Sequence, residues 1–476
     1  MGAERVIFNQ PQPFISAFVE EIDEALQEHD PHSRGLSSIQ KYWLSFCIMA
    51  VMVTNSICWA RFERAGLGSY SLGALAWMFR CSKIPWERLF QMSVRVVLRR
   101  HGITEGTLVV DDSDKRRAKV TKHIAHVHKL KDKTSGGFLF GQNVVFLLLV
   151  TETVTIPVGF AFYRPDPART AWTKENETLK KKGIPKRKRP PEPPRNPAYP
   201  TKMELALRLL KTFKQWHATV AVKTILADAL YGAAAFVDQA SALFGDTQVV
   251  SQLRKTQRVH FRGRALTVSE YFRRYPGVKT KLRVRGGKEV PAWVSSARIF
   301  VCSHGKKRFV VALKYEGEED YRYLFASDLS WRTEDIVRIY TLRWLVEVFF
   351  QDWKAHEGWG ALTKLQGGKG SSCGLILSLL VDHCLLVQPD QLAQLKRKQP
   401  AFTVGSLVNR IKVDSLVAVI HDLMIEKEPE QGLTKLADAL MEQFALMPSG
   451  KHMVGRDLGR QEPSPSLKHK AMTMPA

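Results

Sequence analysis

Residues 340–354 read YTLRWLVEVFFQDWK, and the reading of this stretch decides the fold. Taken as one helix at about 100° per residue, it sets Tyr340, Arg343, Glu347 and Lys354 within an arc of roughly 60°. Leu342, Leu345, Val346, Phe349 and Trp353 fall on the opposite side and predict a core-facing stripe. A solvated charged face is the plain account of most amphipathic helices. It leaves this spacing unexplained. One carboxylate flanked by two cations and a phenol, on a rigid element, suits a phosphodiester held beside a metal ion.

Two more carboxylates stand upstream at expected strand ends. Residues 107–114 read TLVVDDSD, a short apolar strand ending at Asp111, with Asp112 as the adjacent alternative. Residues 220–228 read VAVKTILAD, a later strand ending at Asp228. Either aspartate alone is equally well a turn or helix-cap residue. Jointly with Glu347 they read as a catalytic set, because strand ends gather at one edge of an α/β sheet. Three carboxylates open to solvent suit Mg²⁺, which prefers oxygen ligands. Mn²⁺ is an acceptable substitute. Two such ions about 3.5–4 Å apart would activate the attacking oxygen and stabilise the departing one.

The chain has 476 residues, a formal net charge of +25 and a hydrophobic fraction of 45%. It can bury a core in two to four domains, and its charge favours a polyanion, nucleic acid first. An anionic membrane surface ranks second, without a basic amphipathic helix to carry it. Six cysteines (Cys47, Cys58, Cys81, Cys302, Cys373 and Cys384) form no CxxC pair and read as reduced thiols. No secretory pattern opens the chain. The apolar run from Tyr42 to Trp59 is short for a membrane span and is expected to be a buried core helix.

The expected class is α/β, flanked by helical regions at both ends. Residues 1–100 read as a helical N-terminal region that binds DNA. Within it, Ser71 caps a helix to Phe79, and a basic helix runs from Pro85 to Arg100. That pair is compatible with a helix-turn-helix whose Arg95, Arg99 and Arg100 face phosphate; a plain bundle fits as well. Residues 101–247 form the first part of the core, interrupted by a Pro/Lys/Arg-rich insert at 165–200 that is expected to be mobile. Residues 248–330 read as a β-rich insertion. Residues 331–365 hold the signature helix, with Thr333, Glu334 and Asp335 at its start. Helices at 366–446 could serve dimerisation, and 447–476 reads as a disordered basic tail.

With these residues in view, the chain resembles the bacterial insertion-sequence DDE transposases of the cut-and-paste, hairpin-forming group. The match is Tyr340-x2-Arg343-x3-Glu347-x6-Lys354, together with LVVDDSD and ILADALYG. The resemblance spans about residues 107–385. It implies an RNase H-like catalytic core and a metal-dependent excision through a DNA hairpin, followed by strand transfer into target DNA. It also implies two protomers pairing double-stranded DNA ends in a bacterial, nucleoid-associated protein; the scattered thiols and the short apolar run lead us to expect a cytoplasmic location with no membrane. Asp111, Asp228 and Glu347 would ligate the metal, while Tyr340, Arg343 and Lys354 would hold phosphates. Trp293 is a candidate for stacking a flipped base, though a lone aromatic in a β segment is commonly packed. Arg254 and Lys255 are candidate backbone contacts. His123, His126 and His128 read as a basic loop, since no further ligand completes a zinc site. The alternatives are a transposase-derived DNA-binding protein that no longer cleaves and an RNase H-like nuclease that only hydrolyses.

Overall fold

The computed structural model describes residues 10–32, 34–66, 70–117, 123–131, 136–283, 289–360, 367–424 and 429–443. The expected basic tail at 447–476 lies outside them. A helical layer comes first: α1 (Pro13–His29), α2 (Ser38–Thr54), α3 (Trp59–Ala65), α4 (Leu72–Cys81) and α5 (Trp86–His101). Ser37 and Gln40 form a reciprocal cap at the start of α2, and Asn55 closes it in the left-handed conformation. Every residue from Trp43 to Met52 is buried, as the apolar run required. The chain then bends by 90° into α3. Ser71 caps α4 through Ala74 N.

Helices α4 and α5 stand within a helical bundle, the plain alternative to the helix-turn-helix reading. Helix α5 is a core helix, buried from Leu89 to Val94 and from Val96 to Leu98. Its end is tied to α1 by Arg99–Glu28 and Arg100–Glu21 ion pairs. Its exposed face carries Arg88 and Arg95, while Arg99 and Arg100 are engaged by α1.

A single sheet organises the rest. Its strands are β1 (Glu105–Arg116), β2 (His128–Lys131), β3 (Phe138–Val150), β4 (Thr155–Tyr163), β5 (Ala221–Ala227), β6 (Gln248–Leu253), β7 (Arg258–Phe261), β8 (Arg264–Thr267), β9 (Val278–Arg283), β10 (Glu289–Val301), β11 (Lys306–Tyr315) and β12 (Arg322–Ala326). The order is β2-β3-β1-β5-β6-β12-β11-β10-β7-β8, with β4 also on β3 and β9 on β10. Strands β4, β3 and β1 run antiparallel in turn, while β1, β5 and β6 run parallel. Strand β6, which sequence reading put in the β-rich insertion, therefore lies alongside β5. The insertion strands continue the same sheet through β12 on β6.

Helices α6 (Pro167–Lys181), α7 (Lys202–Trp216), α8 (Ala234–Leu243) and α9 (Val268–Arg274) connect these strands. The chain continues through α10 (Thr333–Thr341), α11 (Trp344–His356), α12 (Gly367–Leu386), α13 (Pro389–Lys396), α14 (Val404–Met424) and α15 (Pro429–Gln443). By length and composition α12 could cross a membrane, but 78% of its apolar window is buried inside the fold. Cysteines Cys47, Cys373 and Cys384 are buried and all six are free.

Two local readings are corrected here. Thr333 does not cap α10; its hydroxyl donates to Ser296 Oγ, and Arg332 pairs with Asp335 instead. The 165–200 insert is not structureless, since α6 occupies Pro167–Lys181 and begins on a side-chain cap from Asp166.

Candidate active site

The apolar run 107–110 builds the middle of β1, buried between β3 and β5. Strand β1 does not end at Asp111. It runs on to Arg116, because the polar segment DSDKR keeps its ladder with Val145 to Gly141 of β3. Strand β5 does stop, one residue before Asp228. The parallel register pairs Val110 with Ala227, so the next residues on the two strands are Asp111 and Asp228. Two carboxylates from distant chain segments become lateral neighbours at the point where β5 gives out.

Their environments differ. Asp111 Oδ1 accepts from Asp112 N at 2.8 Å, and Oδ2 accepts from Arg343 Nη1 at 2.5 Å. Burial pushes its carboxyl up to about 6, against the downward pull of the Arg343 guanidinium. Asp228 Oδ1 accepts from Leu230 N at 2.8 Å and caps the short turn Ala229–Tyr231. The turn-cap role weighed for Asp228 is thus real, and it occupies one carboxylate oxygen only. Asp112 points to the other face of the strand, where Lys202 Nζ and Asn143 Nδ2 hold it at 2.8 and 2.6 Å.

The signature stretch is not one continuous α-helix. Helix α10 stops at Thr341 and α11 starts at Trp344, with i→i−3 hydrogen bonds at Leu342, Arg343, Leu345 and Val346. A tightened turn advances each residue by about 120° rather than 100°, so residues three apart eclipse. Tyr340 and Arg343 are therefore drawn onto one line facing Asp111. Glu347 is turned outward, its side chain 47% exposed, with Oε1 4.0 Å from Arg343 Nη2. One guanidinium spans Asp111 and Glu347. On the opposite side Val346, Phe349 and Trp353 are buried as expected, while Leu342 and Leu345 are only half-buried.

Three features of this centre escaped the sequence reading. Tyr231, three places after Asp228, is fully buried with its hydroxyl unpartnered, and the charges of Asp112, Asp228 and Asp111 raise its phenol further after burial has done so. The Tyr340 hydroxyl is likewise buried and in hydrogen-bond geometry with no group, although Gln252 lies near enough to oppose the rise that burial gives its phenol. Lys115, on the same face of β1 as Asp111, donates to Gly360 O. Burial, then Arg117 and Lys354, lower its ammonium to about 8. The Asp-x2-Tyr spacing and the alternation DDSDK were the available signals.

The remaining candidates lie elsewhere in the fold. Arg254 and Lys255 are exposed just beyond β6, with Lys255 3.4 Å from Asp320. Trp293 is half-buried on β10, its ring flanked by Lys279 and Lys314 Nζ at 5.0 and 5.2 Å. His126 stacks on Phe162 and His128 meets Tyr163 edge-on.

Among the described residues no three His, Cys, Asp or Glu side chains already stand close enough to share an ion. The donor set nonetheless suits a hard cation. Asp111 and Asp228 are adjacent oxygen donors, and a buried carboxyl raised to about 6 gains from a positive partner.

Paired strand-borne carboxylates, one of them held by the Arg343 guanidinium, are the equipment of a phosphodiester-cleaving enzyme. Residues 63–304, just over half the chain, match the model for the DDE superfamily endonucleases, and the chain belongs to that family. Asp111 and Asp228 fall inside the matched segment and Glu347 beyond it. Among solved structures, a similar one is the cryo-EM structure of the piggyBac transposase synaptic complex with hairpin DNA. It is 10% identical, with 91% of this chain and 84% of that chain covered and a TM-score of 0.42. No curated protein matches.

Proposed function

We propose that this endonuclease is a DNA transposase with an RNase H-like core formed by β4-β3-β1-β5-β6. The observation that carries the reading is the lateral pairing of Asp111 and Asp228, with Arg343 reaching across to Asp111 from the signature stretch. Asp111, Asp228 and Glu347 would hold Mg²⁺, or Mn²⁺ in its place. When bound, the ions make the attacking oxygen more nucleophilic and stabilise charge on the departing one.

The chain's own residues supply the rest. Water attacks the scissile phosphorus, the P–O3′ bond breaks, and the freed 3′-oxygen takes up a proton. That 3′-hydroxyl then attacks the opposite strand, closing a hairpin and releasing the flanking end. A second water attacks the hairpin phosphorus and frees the 3′-hydroxyl again, which attacks a target phosphorus and displaces that strand's 3′-oxygen as a new 3′-hydroxyl. Arg343, Tyr340 and Lys354 hold phosphate oxygens, and their fixed donors stabilise charge as it builds on the five-coordinate phosphorus. Lys115 adds a donor beside Lys354. Arg254 and Lys255 contact backbone, Trp293 stacks a base, and two protomers pair the DNA ends.

The test is cleavage, in Mg²⁺, of duplex DNA carrying the element's own end sequence, comparing the unaltered chain with Glu347→Ala. Hairpinned ends that vanish in the variant are expected. Nicks without hairpins would reduce the reading to a hydrolytic nuclease, and binding without cleavage in either protein would leave a DNA-binding relic.

A further inference from the structure

Residues 164–201 leave the sheet at the end of β4 and return at the start of α7. No residue of α6 is buried. A segment that adds nothing to the core would ordinarily stay unfolded, yet this one is locked by its own side chains. Gly183, at φ +75°, reverses the chain after α6, and Lys186–Lys188 form a tight turn. The proline-rich return then lies back along the helix. Trp172 Nε1 donates to Pro190 O at 2.9 Å, and Arg189 Nε donates to Ile184 O at 2.8 Å. Arg169 pairs with Glu192.

The apolar side chains Trp172, Leu179 and Ile184 are half-buried within this cage. What it offers outward is charge. Residues 165–200 hold ten Lys and Arg against four Asp and Glu. Lys174, Lys180, Lys181, Lys182, Lys186, Arg187 and Lys188 are all exposed. A membrane would need an apolar face to insert, and the cage turns its apolar groups inward.

Both stems land on β1 next to Asp111, on the face that carries Asp112 and Asp114. Tyr163, the last residue of β4, pairs with Asn143, whose Nδ2 donates to Asp112 and Asp114 at 2.6 Å each. At the other stem Lys202 Nζ donates to Asp112 Oδ2 at 2.8 Å, one residue along β1 from Asp111.

We propose that residues 164–201 form a folded basic arm that grips the backbone of duplex DNA next to the cleavage site. This rests on the reading of the site as one that acts on DNA. A rigid cage holds its cations at fixed spacing, so the duplex is gripped without first ordering a loose tail.

The experiment titrates a fluorescent duplex against three full-length proteins over a range of salt: the unaltered chain, Lys186→Gln/Arg187→Gln/Lys188→Gln, and Lys396→Gln/Arg397→Gln/Lys398→Gln. The last removes the same charge from an exposed run at the end of α13. The arm variant is expected to bind about tenfold or more weakly, with a salt slope shallower by roughly 0.9 for each phosphate it no longer neutralises. The α13 variant should follow the unaltered chain. Equal weakening in both variants, or none in the arm variant, would overturn the arm while leaving the DNA reading intact. An unaltered chain that binds no duplex would overturn the proposed function itself, and the arm with it.

Discussion

Arg343 reaches across from the turn between α10 and α11 to donate to Asp111 Oδ2 at 2.5 Å, linking the signature stretch to the edge where Asp111 and Asp228 meet. This hydrogen bond holds a buried carboxylate in place and brings a fixed positive charge to where phosphate charge would build. Arg343→Ala is therefore expected to slow DNA cleavage roughly 10²–10³-fold, the loss typical of a fixed transition-state donor. Arg343→Lys should recover only part of it, because a point charge cannot span Asp111 and Glu347 as a planar fork does. Cleavage at the unaltered rate in Arg343→Ala would remove Arg343 from the chemistry.

The pairing of Asp111 with Asp228 would make a cation-binding edge, and this can be read without DNA. Adding Mg²⁺ at about a hundred times its dissociation constant should stabilise the unaltered chain by about 2.7 kcal/mol. Calorimetry or thermal denaturation should show the stabilisation vanish in Asp228→Asn. An equal shift in both proteins would place the ion elsewhere.

Gly232 follows the turn that Asp228 caps, and a Cβ there would stand 2.6 Å from Gln252 O of β6. Backbone cannot yield as a flexible side chain can. Gly232→Ala should therefore cost about 1–3 kcal/mol and push the Asp228 turn off β6. Both the unfolding midpoint and the cleavage rate should fall; a drop in neither would mean the turn is free to move.

Three buried histidines set an acid limit on stability. Burial lowers His217, His304 and His383 to about 4, helped at His217 by Arg95 and at His304 by Arg308. His383 Nε2 meets Pro157 O at 2.9 Å and Nδ1 meets Ser93 Oγ at 2.7 Å, and its complete burial disfavours a charge on the ring. An unfolded histidine takes up its proton near pH 6.5, while the folded ones wait until about pH 4. Their contribution is thus complete above about pH 6.5 and is lost as pH falls towards 4. The unfolding midpoint should drop through that window, and His383→Gln should flatten the drop. A midpoint independent of pH there would contradict the burial.

Much of this was legible in the residues, for identifiable reasons. The buried helix α2, the capped start of α4, the strands around Asp111 and Asp228 and the apolar stripe of α11 follow from local periodicity and caps. What escaped depends on partners far along the chain. The polar segment DSDKR has poor strand propensity, and only pairing with β3 draws it into the ladder. The tightened turn at Leu342–Arg343 is invisible to a pattern read at a uniform 3.6 residues per turn. Arg99 and Arg100 looked available for phosphate until α1 brought Glu28 and Glu21 beside them. The insert at 165–200 has the composition of a disordered segment, and its order comes from specific locks such as Trp172 on Pro190. Tyr231 was passed over because a single tyrosine after a strand gives no sign that its hydroxyl will be buried among carboxylates.

The most direct test of the central claim compares Asp111→Asn with Asp112→Asn in Mg²⁺-dependent cleavage of end-sequence DNA. The two residues are neighbours on β1 facing opposite sides, Asp111 beside Asp228 and under Arg343, Asp112 held by Lys202 and Asn143. Cleavage should be abolished in Asp111→Asn and largely kept in Asp112→Asn. The reverse pattern, or full activity in Asp111→Asn, would contradict the site.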